Sequence, residues 1–119
     1  AVDLAGLRRA VSAAQALPLL AVGSGGSLTA AHLLAAIHRR YSGRPASVLT
    51  PLDATTQRVD PDVSTWLLSA GGANVDILAA FAALVRAEPA QMTVLCGRRD
   101  SPLSLAAGKH QFVDLIDAE

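Results

Sequence analysis

Aromatic side chains are scarce here: one Trp, one Tyr and two Phe make up 3% of the 119 residues. The hydrophobic share is nevertheless 51%, so a core must be built from Ala, Leu, Val and Ile. Small side chains let helices sit close on a sheet, and β-branched runs suit strands covered on both faces. A layered α/β domain fits that composition better than a β-sandwich. Cysteine is almost absent as well. Cys96 alone cannot form an internal disulfide or supply a four-ligand zinc site. It closes the apolar run Met92-Thr93-Val94-Leu95 and reads as a small core residue, without the basic partner a reactive thiol wants.

Charge of one sign is lacking too. Ten basic and ten acidic residues cancel, and Arg39-Arg40 and Arg98-Arg99 are isolated pairs expected at solvated element ends. Sequence-independent nucleic-acid binding needs a cluster of phosphate-neutralising cations, so no nucleic-acid partner is expected. Neither a signal peptide nor an apolar run of about 18 residues is present, which argues against a membrane role and for a cytoplasmic protein. The length suits one domain over residues 1–119. A start at Ala1 rather than Met suggests a processed chain or a piece excised from a longer one.

Periodicity then orders the chain. Residues 3–16 place Leu4, Leu7 and Val11 on one helical face, and Pro18 ends that helix. Leu19-Leu20-Ala21-Val22 is a short apolar run stopping at glycines, the pattern of a buried strand. A helix follows over 27–40, with Arg39-Arg40 at its negative end and Ser42-Gly43 as the break. Strand 46–49 leads into Thr50-Pro51 and a polar segment, 53–62. Strand 63–69 runs into Gly71-Gly72, and residues 74–86 form an amphipathic helix with Asn74 as N-cap and Asp76 at its positive end. Strand 91–96, a short helix over 101–107 and strand 111–116 complete the series. Such alternation predicts an α/β fold: a three-layer, doubly wound (flavodoxin-like) five-stranded parallel sheet in the order 2-1-3-4-5.

In open α/β sheets, ligands bind beyond the carboxyl ends of the strands, where strand order reverses. With the predicted order that point lies between the first and third strands, and each is followed by a glycine-rich turn. The first turn is Gly23-Ser24-Gly25-Gly26-Ser27; the second carries Ser69, Gly71, Gly72 and Asn74. A glycine turn opening a helix presents unpaired N–H groups and the positive helix end to an anion. Ser24, Ser27, Ser69 and Asn74 add side-chain donors. These residues are the candidate ligand-binding set. The alternative is that the glycines only make tight strand-to-helix turns, with Ser27 and Asn74 as N-caps.

Better-known glycine motifs do not fit. A dinucleotide fingerprint needs a third glycine where Leu28 stands, and no acidic residue ends the second strand, Val48-Leu49-Thr50. The Gly-Lys-Ser/Thr of a P-loop is missing. A nucleophile elbow around Ser24 fails at Val22. No cofactor is expected. The histidines His32 and His38 stand six apart on different helical faces, with surface or interface roles expected; neither suggests a metal site.

The run Leu20-Ala21-Val22-Gly23-Ser24-Gly25-Gly26-Ser27, followed by Ala30-Ala31, resembles the first loop of sugar isomerase (SIS) domains. Leu67-Leu68-Ser69-Ala70-Gly71-Gly72-Ala73-Asn74-Val75-Asp76 sits where that family carries Ser-x-Ser-Gly-x-Thr-x-Glu/Asp, and Ser101-Pro102-Leu103 is similar to its Ser-Pro-Leu element. The resemblance spans about residues 18–108. It implies a phosphosugar-binding domain in which Ser27 and Ser69 match the phosphate-binding serines and Gly72 the turn glycine. It also implies pairing into a homodimer or higher homo-oligomer. Three hydroxyls of the family pattern are absent: Gly26 stands for Thr, Gly71 for Ser and Asn74 for Thr. A hydrogen bond to a charged partner is worth about 1.5–3 kcal/mol, so such a site is weaker or shaped for another ligand.

Catalysis by isomerisation needs a base within reach of the substrate carbons. Some SIS isomerases carry a His after the second strand, but residues 51–57 contain none, and Thr56 stands about where it would fall. Asp53 and Asp76 are possible bases or, more simply, turn and helix-start carboxylates. His110 could reach a neighbour's site in a dimer. The expectation is therefore a binding or sensor module for a phosphorylated sugar. The alternatives are an active isomerase completed across a dimer, or an assembly module that has lost the site.

Overall fold

The computed structural model describes residues 3–118; Ala1, Val2 and Glu119 of the expected 1–119 domain lie outside the described residues. Five parallel strands, β1 (Leu19–Val22), β2 (Ala46–Leu49), β3 (Ser64–Ser69), β4 (Gln91–Cys96) and β5 (Val113–Asp117), form one sheet in the order β2-β1-β3-β4-β5. The order is the one expected. β1 is apolar throughout and buried at all its positions, as a central strand covered on both faces must be. β2, at the edge, is only half-buried.

Helices α1 (Leu4–Ala14) and α2 (Gly26–Ser42) cover one face, while α3 (Pro51–Thr56), α4 (Val75–Arg86) and α5 (Pro102–Ala107) cover the other. The first layer meets the sheet through alanines: Ala10 and Ala14 of α1 and Ala31 and Ala35 of α2 pack with Leu19, Ala21, Trp66, Leu68 and Ile116. Methyl-sized contacts bring those helices close, which is how a core with so few rings closes. Trp66 is the large exception, and its indole N–H donates to Ser64 Oγ at 3.0 Å. On the opposite face Leu20, Val22, Leu67 and Val94 pack under Ile77, Ala80, Phe81, Leu84, Leu103 and Ala107.

Several local expectations need correction. The polar segment contains a helix, α3, at its start: Thr50 caps it by accepting from the Asp53 N–H at 3.2 Å, and Pro51 occupies the first turn. Its brevity and its polar residues hid it, since only Pro51 and Ala54 are buried. β5 begins at Val113, two residues after the expected start. Gly25, with φ 57°, is the N-cap of α2, so Ser27 is not a cap. His38 is buried rather than at the surface: its Nε2 lies 2.8 Å from the Leu17 carbonyl, tying α2 to the approach to β1. Among the described residues, no helix is long and apolar enough to cross a membrane.

Candidate functional site

The sheet's reversal point lies between β1 and β3, and the connections leaving those strands run to opposite faces. At the end of β1, the N–H of the buried Gly23 donates to the Leu49 carbonyl at 3.2 Å. A Cβ on Gly23 would stand 2.5 Å from the Ser27 carbonyl oxygen, so only glycine lets α2 start this close to the strand. The turn then closes on itself. Ser27 N–H donates to the Ser24 carbonyl at 3.0 Å, and Leu28 N–H to that of Gly25 at 3.1 Å. Above Gly25 and Gly26 the space is open, since a Cβ on either meets no atom within 4 Å.

The loop after β3 is built differently. Ser69 Oγ accepts from the Gly72 N–H at 2.9 Å. Gly72 has φ 65°, and a Cβ there would stand 2.3 Å from Ser101 Oγ and 2.8 Å from Cys96 Sγ. Its carbonyl accepts from Leu103 N–H at 2.9 Å, which pins the loop to the start of α5. Asn74 caps α4 as expected, its Oδ1 accepting from Asp76 N–H at 2.7 Å.

Between the two turns lies a cleft of about 430 Å³ lined by Ser24, Gly26, Ser27, Ala30, Ser69 and Ala70. Ser24, Gly26, Ser27 and Ser69 of the candidate set thus meet there. Gly23 and Gly25 shape the turn without lining the cleft. Gly71, Gly72 and Asn74 do not line it either; Gly72 and Asn74 hold the loop and α4 in place. Ala30 and Ala70 join the lining. Ala30 was legible as a position four residues after Gly26, one helical turn on, and Ala70 as the neighbour of Ser69.

The lining carries hydroxyls, backbone and methyl groups and no charged side chain. The positive end of the long helix α2 opens onto it. Neither possible base reaches it: Asp53 is half-buried in the first turn of α3, and Asp76 is exposed in the first turn of α4. His110 packs between the rings of Phe81 and Phe112, tilted against the first and edge-on to the second, with centroids 5.8 and 5.6 Å away. Cys96 is buried, its Sγ 3.3 Å from Ser101 Oγ. Among the described residues, no cluster of His, Cys, Asp or Glu could hold a metal. A second cleft, about 450 Å³, lies toward the amino ends of β1, β2 and β3 around Pro18, Pro45 and Val63. It is similar in volume but sits at the end of a parallel sheet where ligands do not ordinarily bind.

No family model and no curated protein matches the sequence. Solved structures do match in shape. Tagatose-6-phosphate ketose/aldose isomerase from Escherichia coli superimposes with a TM-score of 0.75 at 14% identity, over 96% of this chain and 34% of that one. The sugar isomerase domain of the RpiR transcription factor from Sphaerobacter thermophilus gives 0.71 at 19% identity, over 98% and 65%. This chain has the sugar isomerase (SIS) fold. The Vibrio vulnificus NanR protein, complexed with ManNAc-6P, shares that SIS fold with a TM-score of 0.72 at 20% identity, over 98% of this chain and 44% of its own. The chain therefore spans between about a third and two thirds of these SIS-fold proteins.

Proposed function

We propose that the chain binds a phosphorylated sugar in the cleft between the 23–27 turn and Ser69, as a binding or sensor module. The observation that carries this reading is the convergence of Ser24, Ser27 and Ser69 at the positive end of α2 in a cleft of about 430 Å³. A phosphate there takes hydroxyl and backbone N–H donors at the positive end of a helix. The ManNAc-6P complex of the NanR protein, with the same fold, supports the ligand class, and the RpiR transcription factor supports a sensor role.

The positions of Asp53 and Asp76 outside the cleft favour binding over isomerisation. Pairing of two chains belongs to the same proposal. Leu33, Ile37 and Tyr41 form one exposed apolar stripe along α2, 62%, 46% and 78% accessible.

Calorimetric titration with ManNAc-6P, other phosphorylated sugars and their unphosphorylated counterparts, followed by aldose–ketose assays on each ligand that binds, tests the reading. Binding of a phosphorylated sugar without turnover is the expected result. Turnover abolished by Asp53→Asn or Asp76→Asn overturns it in favour of an isomerase. Failure of every phosphorylated sugar to bind overturns the ligand class.

A further inference from the structure

The cleft has a physical deficit: a phosphate brings nearly two negative charges, and no lining residue is cationic. The turn after β4 stands next to it. Ser69 and Cys96 are register partners at the ends of β3 and β4, and Gly97 N–H donates to the Ser69 carbonyl at 2.9 Å. A Cβ on Gly97 would stand 2.7 Å from the carbonyl oxygen of Ala70, a residue of the cleft wall. The next residue is Arg98.

The two arginines of this turn differ. Arg99 Nε lies 3.8 Å from Asp117 Oδ2, which draws it toward β5. The Arg98 side chain is exposed and has no hydrogen bond or ion pair among the described residues. Its backbone, by contrast, is held. The Arg98 carbonyl accepts from Ser104 Oγ at 3.1 Å and from Cys96 Sγ at 3.4 Å, and both donors are buried. Ser101 Oγ, in turn, contacts Cys96 Sγ and Ser104 Oγ. A buried hydroxyl and thiol cluster with no part in the cleft thus anchors the backbone of one unpaired cation beside it.

We infer that Arg98 is the cation of the phosphate site, reaching from the turn after β4 past Ala70 to the anion held at Ser27 and Ser69. Adjacent strands lie about 4.8 Å apart, less than an extended arginine side chain, so the guanidinium can span from β4 to the cleft mouth. A guanidinium meets two phosphate oxygens with parallel N–H bonds, and so makes up for the hydroxyl that Gly26 does not supply at the cleft wall. The site then selects phosphorylated over neutral sugars by charge. This inference rests on the reading of the cleft as a phosphosugar site.

Titration of the native chain, Arg98→Ala, Arg98→Lys and Arg40→Ala with ManNAc-6P and inorganic phosphate, at low and high salt, tests it. Arg40 lies in the last turn of α2, on the order of 20 Å along the helix from the cleft, and removes the same net charge. Arg98→Ala weakens binding at least about tenfold at low salt and flattens its salt dependence, Arg98→Lys falls between, and Arg40→Ala stays near native. A loss in Arg98→Ala no larger than in Arg40→Ala overturns the inference while leaving the cleft a phosphosugar site. If the native chain binds neither probe, the reading of the cleft fails and takes this inference with it.

Discussion

The Ser69 hydroxyl accepts the Gly72 N–H at 2.9 Å, so the side chain that faces the cleft also ties the loop behind it. Accepting there leaves the hydroxyl proton for a ligand oxygen. In the proposed site one atom would therefore couple the shape of the 69–74 loop to a bound phosphate.

Replacing that hydroxyl acts on both. Ser69→Ala is expected to cost about 1 kcal/mol of stability, a typical intramolecular hydrogen bond, and to weaken phosphosugar binding by about tenfold or more. Urea unfolding and calorimetry on the same preparation measure the two effects. Undiminished affinity in Ser69→Ala would remove Ser69 from the site.

The two glycines of the first turn separate packing from binding. Gly23→Ala drives a methyl into the Ser27 carbonyl and is expected to cost about 1–3 kcal/mol, as overpacked sites do. Gly26→Ala meets open space at the start of α2 and should leave stability unchanged or slightly raised. Gly26→Thr adds a hydroxyl at the cleft wall and should bind phosphosugar more tightly than Gly26→Ala. Equal unfolding midpoints for Gly23→Ala and Gly26→Ala would contradict the close approach of α2 to β1.

Asn74 provides a third contrast. Its Oδ1 caps α4 and it does not line the cleft. Asn74→Ala should lose about 0.5–2 kcal/mol of stability, with affinity for a phosphorylated sugar held within a factor of two. A large loss of affinity with native stability would restore Asn74 to the binding set.

Pairing through α2 predicts a charge-sensitive association. The native chain is expected to run as a dimer in light scattering after gel filtration, and Ile37→Glu as a monomer, because a buried unpaired carboxylate opposes contact of the stripes. A native monomer, or a dimer indifferent to Ile37→Glu, speaks against this face.

Most of the scaffold was legible because its signals are local. Leu19-Leu20-Ala21-Val22, four apolar residues closed off by Pro18 and Gly23, carries the pattern of a strand buried on both faces, which β1 is. Asn74 ahead of Val75 and Asp76 announces a helix start that α4 confirms. The short α3 escaped because six residues carry too little periodicity to read. His38 escaped because its partner, the Leu17 carbonyl, is distant in sequence, and a single polar residue on a helix says nothing of what lies above it.

The sequence by itself determined the order of every element but α3, the apolar strands and two glycine-rich turns at strand ends. Periodicity, capping and glycine geometry act over a few residues and leave marks in a single chain. Only the tertiary structure decided which turn residues face each other. It brought Ser24, Gly26, Ser27 and Ser69 into one cleft and turned Gly72 onto Ser101 and Cys96. It also set Gly97, the neighbour of Arg98, against Ala70, through the pairing of β3 with β4. Those relations depend on strand register and helix placement, which join residues far apart in the chain and are encoded at no single position.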